Sequence, residues 1–252
     1  MFENELSVAL HAAREAGQIQ LQGRELMGEV EFKEDDSPVT DVDKRCEKVI
    51  TEFLAEKFPR DGLLGEENGE VTGTSERRWI IDPLDGTRPF IRGIPTYGVL
   101  IALEQQSVPV VGVMYLPALD CLCYASRGGG AFLNGKKVKV SATDSLQAAL
   151  GSALGFVENS EMHDGRKLFN LMKSWNYTYG FMDCYTYVCV AGGKLDLSVS
   201  LLDKPWDCAA AACIVKEAGG RYSDIDGKES IYNGSVIFSN GIIHDEVLRY
   251  FN

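Results

Sequence analysis

Asp82, Asp85, Glu66 and Asp207 are the residues best suited to chemistry in this sequence, and Asp82-Pro83-Leu84-Asp85-Gly86-Thr87 is its most informative segment. An apolar run, Trp79-Ile80-Ile81, carries the chain into the segment and stops on Asp82. Pro83 then fixes one dihedral and removes a donor, which makes a rigid turn. A tight turn at this spacing points both aspartates and the Leu84 carbonyl into one pocket, the oxygen set that a hard cation such as magnesium takes. If a helix or turn begins at Gly86 and Thr87, its free backbone N–H groups can receive a phosphate. Asp-Gly alone is more often an ordinary turn, with Asp82 a cap. Two aspartates on the exit of a buried strand, followed by Gly-Thr, point instead to a site.

Three other acidic segments could join it. Gly65-Glu66-Glu67-Asn68-Gly69 follows the short apolar run Leu63-Leu64, so Glu66 could reach the same edge from the end of a strand. Adjacent glutamates are otherwise usually solvated loop residues. In Lys204-Pro205-Trp206-Asp207-Cys208-Ala209-Ala210-Ala211, Asp207 sits where a helix N-cap belongs. It reads equally as a cap or as a ligand aimed from the start of an alanine-rich helix. Asp41 and Asp43 form a further cluster, which could serve only the helix dipole.

The elements that must position these residues can be read from periodicity. Leu6, Leu10, Ala13 and Ala16 mark an amphipathic helix over 3–28, and Val42, Cys46, Val49, Ile50, Phe53 and Phe58 another over 41–58, capped by Thr40 or Asp41. Runs 97–103 and 108–115 read as an antiparallel hairpin, and Asn134-Gly135 as a hairpin turn. Beyond it, helix 183–191, strand 195–201, helix 207–218, strand 236–238 and a helix from about Asp245 alternate. This pattern predicts layered α/β sheets and helices. The division expected is an N-terminal half over 1–138 and a C-terminal half over 139–252.

Composition bounds the function. The chain has 252 residues, 45% hydrophobic and 25% charged, with net charge -12. Such a charge repels nucleic acid and anionic membranes, so neither is expected as a partner. A phosphorylated substrate is also an anion, so the site must reverse the local sign, as bound divalent cations do. No apolar run approaches the roughly 20 residues that span a bilayer, and the acidic start Met1-Phe2-Glu3-Asn4-Glu5 lacks the basic region of a secretory signal. A cytoplasmic location is expected. Seven cysteines, an odd count in apolar surroundings, fit reduced buried thiols. Cys121 and Cys123 lack a second pair for zinc, and His11, His163 and His244 lie outside every motif.

Together the segments resemble the inositol monophosphatase superfamily of metal-dependent phosphatases. The resemblance rests on Gly65-Glu66-Glu67, on Trp79 through Thr87, on Trp206-Asp207-Cys208-Ala209-Ala210 and on Glu217-Ala218-Gly219-Gly220, and runs over nearly the whole chain. It implies an αβαβα sandwich with an antiparallel N-terminal and a mixed C-terminal sheet, a homodimer, and two or three magnesium ions. By position Glu66, Asp82, the Leu84 carbonyl, Asp85 and Asp207 would be metal ligands. Glu66 and Thr87, backed by Asp43, would orient the attacking water, and the backbone of Asp85, Gly86 and Thr87 would receive phosphate. Lys33 matches a basic residue of the N-terminal loop. Metal activation of water and stabilisation of the leaving oxygen need no covalent nucleophile.

Gly93-Ile94-Pro95-Thr96-Tyr97-Gly98, Asp183-Cys184-Tyr185 with Tyr187, and Lys204-Pro205-Trp206-Asp207 are similar to the histidinol-phosphatase-like branch. Asp183 could meet the ammonium of an amino-alcohol phosphate, or simply cap the helix that follows. One position departs: Ser200 stands where both the inositol and histidinol branches place a substrate-contacting glutamate, and Asp203 could partly replace that carboxylate. The reading is therefore a small phosphate monoester as substrate, histidinol phosphate or inositol monophosphate first. The alternatives are a 3′,5′-bisphosphate nucleotidase, or a non-catalytic regulator that binds metal and a phosphorylated ligand.

Overall fold

The computed structural model describes residues 2–26, 30–32, 38–154, 164–180 and 183–252. Lys33 and His163 lie outside the described residues.

Helix α1 (Glu3–Glu25) and helix α2 (Asp41–Lys57) bring their apolar faces together over one large sheet. Thr40, not Asp41, caps α2. Its hydroxyl accepts from Val42 N, while Asp43 reaches back to Thr40 N at 2.8 Å, the reciprocal pattern of a capping box. A small ribbon, β1 (Val30–Phe32) with β2 (Pro38–Thr40), leads into it.

The large sheet contains β3 (Gly62–Gly65), β4 (Gly69–Val71), β5 (Arg77–Asp85), β6 (Gly98–Gln105), β7 (Val108–Leu116), β8 (Cys121–Ser126), β9 (Gly130–Leu133) and β10 (Lys136–Val138). Their order is β10-β9-β8-β7-β6-β5-β3-β4. Pairing is antiparallel except between β3 and β5, which run parallel and deliver Glu66 and Asp82 to the same edge. The sheet expected to be antiparallel is thus mixed at one junction.

Alternation along β5 and β6 explains the next layers, because successive side chains leave opposite faces. Trp79, Ile81, Val99 and Ile101 face α1 and α2. Ile80, Leu100 and Ala102 face the other way, against helices α5 (Asp183–Ala191) and α6 (Pro205–Glu217). The run Cys208–Val215 of α6 is buried throughout, as a helix between two sheets must be. The second sheet has strands β11 (Leu150–Ala153), β12 (Tyr177–Tyr179), β13 (Leu197–Ser200), β14 (Arg221–Ser223) and β15 (Val236–Ser239), in the order β12-β11-β13-β15-β14, with parallel and antiparallel pairs. Its far face packs on α4 (Gly165–Met172) and α7 (His244–Leu248). The layers run αβαβα.

The seven cysteines are free and buried. His244 is also buried, its ring nitrogens at 2.9 and 2.8 Å from the hydroxyls of Ser223 and Ser239. Burial lowers its pKa to about 4, which keeps a structural imidazole neutral. Among the described residues, no helix is long and apolar enough to cross a membrane.

Candidate active site

The β5–β6 ladder is regular to Asp82–Leu100, breaks, and resumes at Asp85–Gly98. Pro83 and Leu84 fall in this irregularity, where a residue without an N–H costs the ladder nothing. The break turns Asp82 and Asp85 to one side. Gly86 follows with φ +80, a left-handed conformation that favours glycine, and starts the short helix α3 (Thr87–Arg92). Gln20 of α1, fully buried, donates from Nε2 to the Pro83 carbonyl at 2.8 Å and pins the break from behind.

Asp207 arrives from the opposite helix. It is the third residue of α6, not its N-cap, and its carboxylate accepts from Lys204 N at 2.7 Å. One carboxylate oxygen from each of Asp82, Asp85 and Asp207 lies within 4.8 Å of the others. Each of the three is held by a single backbone amide: Asp82 by Leu84 N at 2.9 Å, Asp85 by Cys184 N at 2.8 Å, and Asp207 by Lys204 N. A carboxylate has about four acceptor sites, so coordination capacity remains at every one. Glu66 lies outside this trio but close enough to act on Asp82 and Asp207 electrostatically.

Burial raises the carboxyl pKa of all three, and neighbouring negative charge adds to the rise. Asp82 is pushed well up by burial and then by Glu66, Asp85 and Asp207. Asp207 is pushed well up by burial and then by Asp203. Asp85 is raised to about 7 by burial and by Asp183, against the opposing Cys184 hydrogen bond. Among the described residues, no lysine or arginine forms an ion pair with any of the three. Concentrated carboxylate oxygens without a cation fit a hard divalent metal.

The hydroxyl of Thr87 lies 3.2 Å from Asp43 Oδ1 and 3.1 Å from the Leu84 carbonyl, and can donate to either. Asp43 therefore does more than favour the helix dipole: it links the α2 cap to the α3 start. The Leu84 carbonyl faces the Thr87 hydroxyl.

Asp183 opens α5 with φ +39. It accepts from Thr96 Oγ1 at 3.0 Å, while the amide of Cys184, in the first turn of the helix, goes to Asp85. Ser200 is buried in β13, its hydroxyl 3.3 Å from Leu202 N, so the structure does not bring it into the carboxylate trio. Asp203 is nearer to them: buried, bonded by the Tyr187 hydroxyl, and one of the charges acting on both Asp85 and Asp207. Gln20, Thr96 as a partner of Asp183, and Tyr187 as a partner of Asp203 escaped sequence reasoning. Each acts through a contact distant in the chain, with no local pattern to mark it.

The whole described geometry can be set beside known proteins. The family model described as "Inositol monophosphatase family" matches residues 2–252. A histidinol-phosphatase of Chlorobaculum parvum is 42% identical over 240 residues, covering 93% of this chain and 91% of the relative. A fructose-1,6-bisphosphatase/inositol-1-monophosphatase of Thermotoga maritima is 35% identical, covering 85% and 82%. Among solved structures, extragenic suppressor protein suhB from Bartonella henselae superposes with a TM-score of 0.90 at 31% identity, covering 99% of both chains.

Proposed function

The chain belongs to the inositol monophosphatase family and is a phosphoric monoester hydrolase, and on that premise we propose that it hydrolyses a small phosphate monoester with magnesium as cofactor, histidinol phosphate being the first candidate. The observation that carries this reading is the convergence of a buried Asp82 with the half-buried Asp85 and Asp207, each amide-anchored and, among the described residues, without a lysine or arginine ion pair. Those three, with Glu66 and the Leu84 carbonyl, would hold the ions. Bound magnesium supplies Lewis-acid chemistry, acidifying water and neutralising phosphoryl charge.

The remaining steps belong to side chains and backbone. Thr87, fixed by Asp43, and Glu66 orient the attacking water. The backbone at Asp85, Gly86 and Thr87 receives the phosphate, with Gly86 allowing close approach. Asp183, turned toward the site by Thr96, meets the protonated amine of an amino-alcohol phosphate. Asp203, with Ser200 and Tyr187 behind it, stands as the carboxylate on that side in place of the missing glutamate. The similarity to relatives that are histidinol-phosphatases supports this order of substrates. Inositol monophosphate is the second reading, supported by the relatives that carry that activity in their names. A cytoplasmic homodimer is part of the same proposal.

Steady-state phosphate release from histidinol phosphate, inositol 1-phosphate and a nucleoside 3′,5′-bisphosphate, each with magnesium, tests it. Histidinol phosphate is expected to give the highest kcat/KM. Asp82→Asn and Asp207→Asn are expected to lose nearly all activity. Normal turnover by those variants would overturn the metal assignment, and equally poor rates on all three esters would overturn the substrate.

A further inference from the structure

Glu47, on α2, is fully buried, and no step described above uses it. Both its oxygens are engaged by consecutive amides of one turn: Oε2 accepts from Glu67 N and Oε1 from Asn68 N, each at 2.8 Å. The carboxylate reaches them across Gly65. A Cβ on Gly65 would lie 2.3 Å from Glu47 Oε1, so only glycine leaves the space. Glu66 sits between that glycine and the two clamped amides. Its own N–H donates to the Ile81 carbonyl at 3.2 Å, immediately before Asp82. Glu66 is thus held by β5 on one side and by α2 on the other.

Closing the turn does not need Glu47. Strands β3 and β4 already pair antiparallel up to Gly65 and Gly69, which brings the ends of the turn together. What the carboxylate adds is a fixed orientation, because two parallel bonds to a planar acceptor restrain direction as well as distance. Glu47 is also one helical turn beyond Asp43, and residues four apart share a helix face. Asp43 fixes Thr87, and Glu47 fixes the turn that carries Glu66. One face of α2 therefore sets both of the residues that orient water in the proposed mechanism.

We infer that Glu47 is a positioning residue, whose two-pronged hold on the Glu67 and Asn68 amides aims the Glu66 carboxylate relative to Thr87 and Asp82. This inference rests on the reading of Glu66 as a metal ligand and water-orienting group. Groups that orient metal ligands change metal affinity or activity by about 10–100-fold when altered.

Glu47→Gln keeps the volume but turns an NH2 group toward one of the two amides. Magnesium binding, followed by isothermal titration calorimetry without substrate, should weaken by about 10–100-fold, and kcat should fall in the same range. KM for the ester at saturating magnesium should stay at its wild-type value. Gly65→Ala displaces the same carboxylate from the other side and should show the same pattern, and the double variant should be no worse than either single, because both break one link. Gly65→Ala also carries the test if Glu47→Gln fails to fold. A Glu47→Gln protein with a lowered melting temperature but wild-type magnesium affinity and kcat would overturn the inference and leave the proposed function standing. A wild-type chain that bound no magnesium would overturn both.

Discussion

Strand β5 holds buried carboxylates at both ends and treats them in opposite ways. At its start, Arg77 donates to Asp61 from Nε and Nη2, at 3.0 and 2.7 Å to Oδ2, and to Glu5 at 2.7 Å. Arg78 reaches Glu104 at 2.7 Å and Glu70 at 2.6 Å, and the Tyr232 hydroxyl also bonds Glu104. Asp61 and Glu104 are nearly inaccessible there, with side chains 4% and 6% exposed. At its end, Asp82 and Asp85 meet Asp207 with one amide apiece and, among the described residues, no lysine or arginine ion pair. Removing a charge from water costs several kcal/mol per ion unless a partner compensates. The first end carries its compensation within the chain. The second has no such compensation among the described residues, its carboxyls hold their protons more tightly, and in the proposed function an ion from outside would complete it.

The largest test of this contrast is Asp85→Asn. Hydrolysis should fall by about a thousandfold or more, since a ligand and its contribution to charge neutralisation are lost. The metal-free protein should nevertheless become more stable at pH 8, by roughly 1 kcal/mol. The sign follows from the raised carboxyl: its folded pKa of about 7 exceeds the ordinary 3.8, so its contribution is present below pH 3.8 and is lost as pH rises through 7. Urea unfolding in a chelator reads the stability, and a destabilised variant at pH 8 would mean the two ends do not differ.

Arg77→Ala should do the converse. It strands Asp61 and Glu5 and should cost about 3 kcal/mol in urea unfolding, with kcat per folded molecule unchanged. A fall in kcat at full folding would show that the arginine end also serves the reaction. The smallest effect concerns protons. A ligand must be deprotonated to bind metal, so with Asp85 titrating near 7 the magnesium dissociation constant should tighten about tenfold from pH 6 to pH 8. A constant unchanged over that range, measured by calorimetry, would remove the raised carboxyl from the account.

The same contrast governs what was legible in the sequence. Asp82, Asp85 and Asp207 stand at the end of an apolar run or the start of an alanine-rich one, where local pattern and chemistry coincide. The layered fold was legible for the same reason, since Ile80 and Ile81 alternate faces and the run Ala209–Ala212 is apolar on every side. The parallel β3–β5 junction was not, because pairing direction is decided across the sheet and not within a strand. Asp207 looked like a cap because its neighbours Pro205 and Trp206 could be read outside the helix, whereas proline is well placed in a first turn. Ser200 stood at a family position by count alone, and its contacts, a buried hydroxyl accepting from Leu202 N, were not legible from that count. Glu47 and Gln20 had no signature at all, because each meets a backbone group 20 or 63 residues away.

The bond from Cys184 N to Asp85 spans 99 residues, and its length in sequence sets an order in time. Synthesis proceeds from the N-terminus, and domains generally assemble as units while it does. The aspartates of β5 are made well before Asp207 or the amide that anchors Asp85. Until α5 and α6 dock, the nascent chain has neither the third carboxylate nor the anchor, and so presents no high-affinity trap for stray cations. On the proposed reading, ion capture would follow the docking of α6, and a chain stopped short of α6 would be inert rather than partly active.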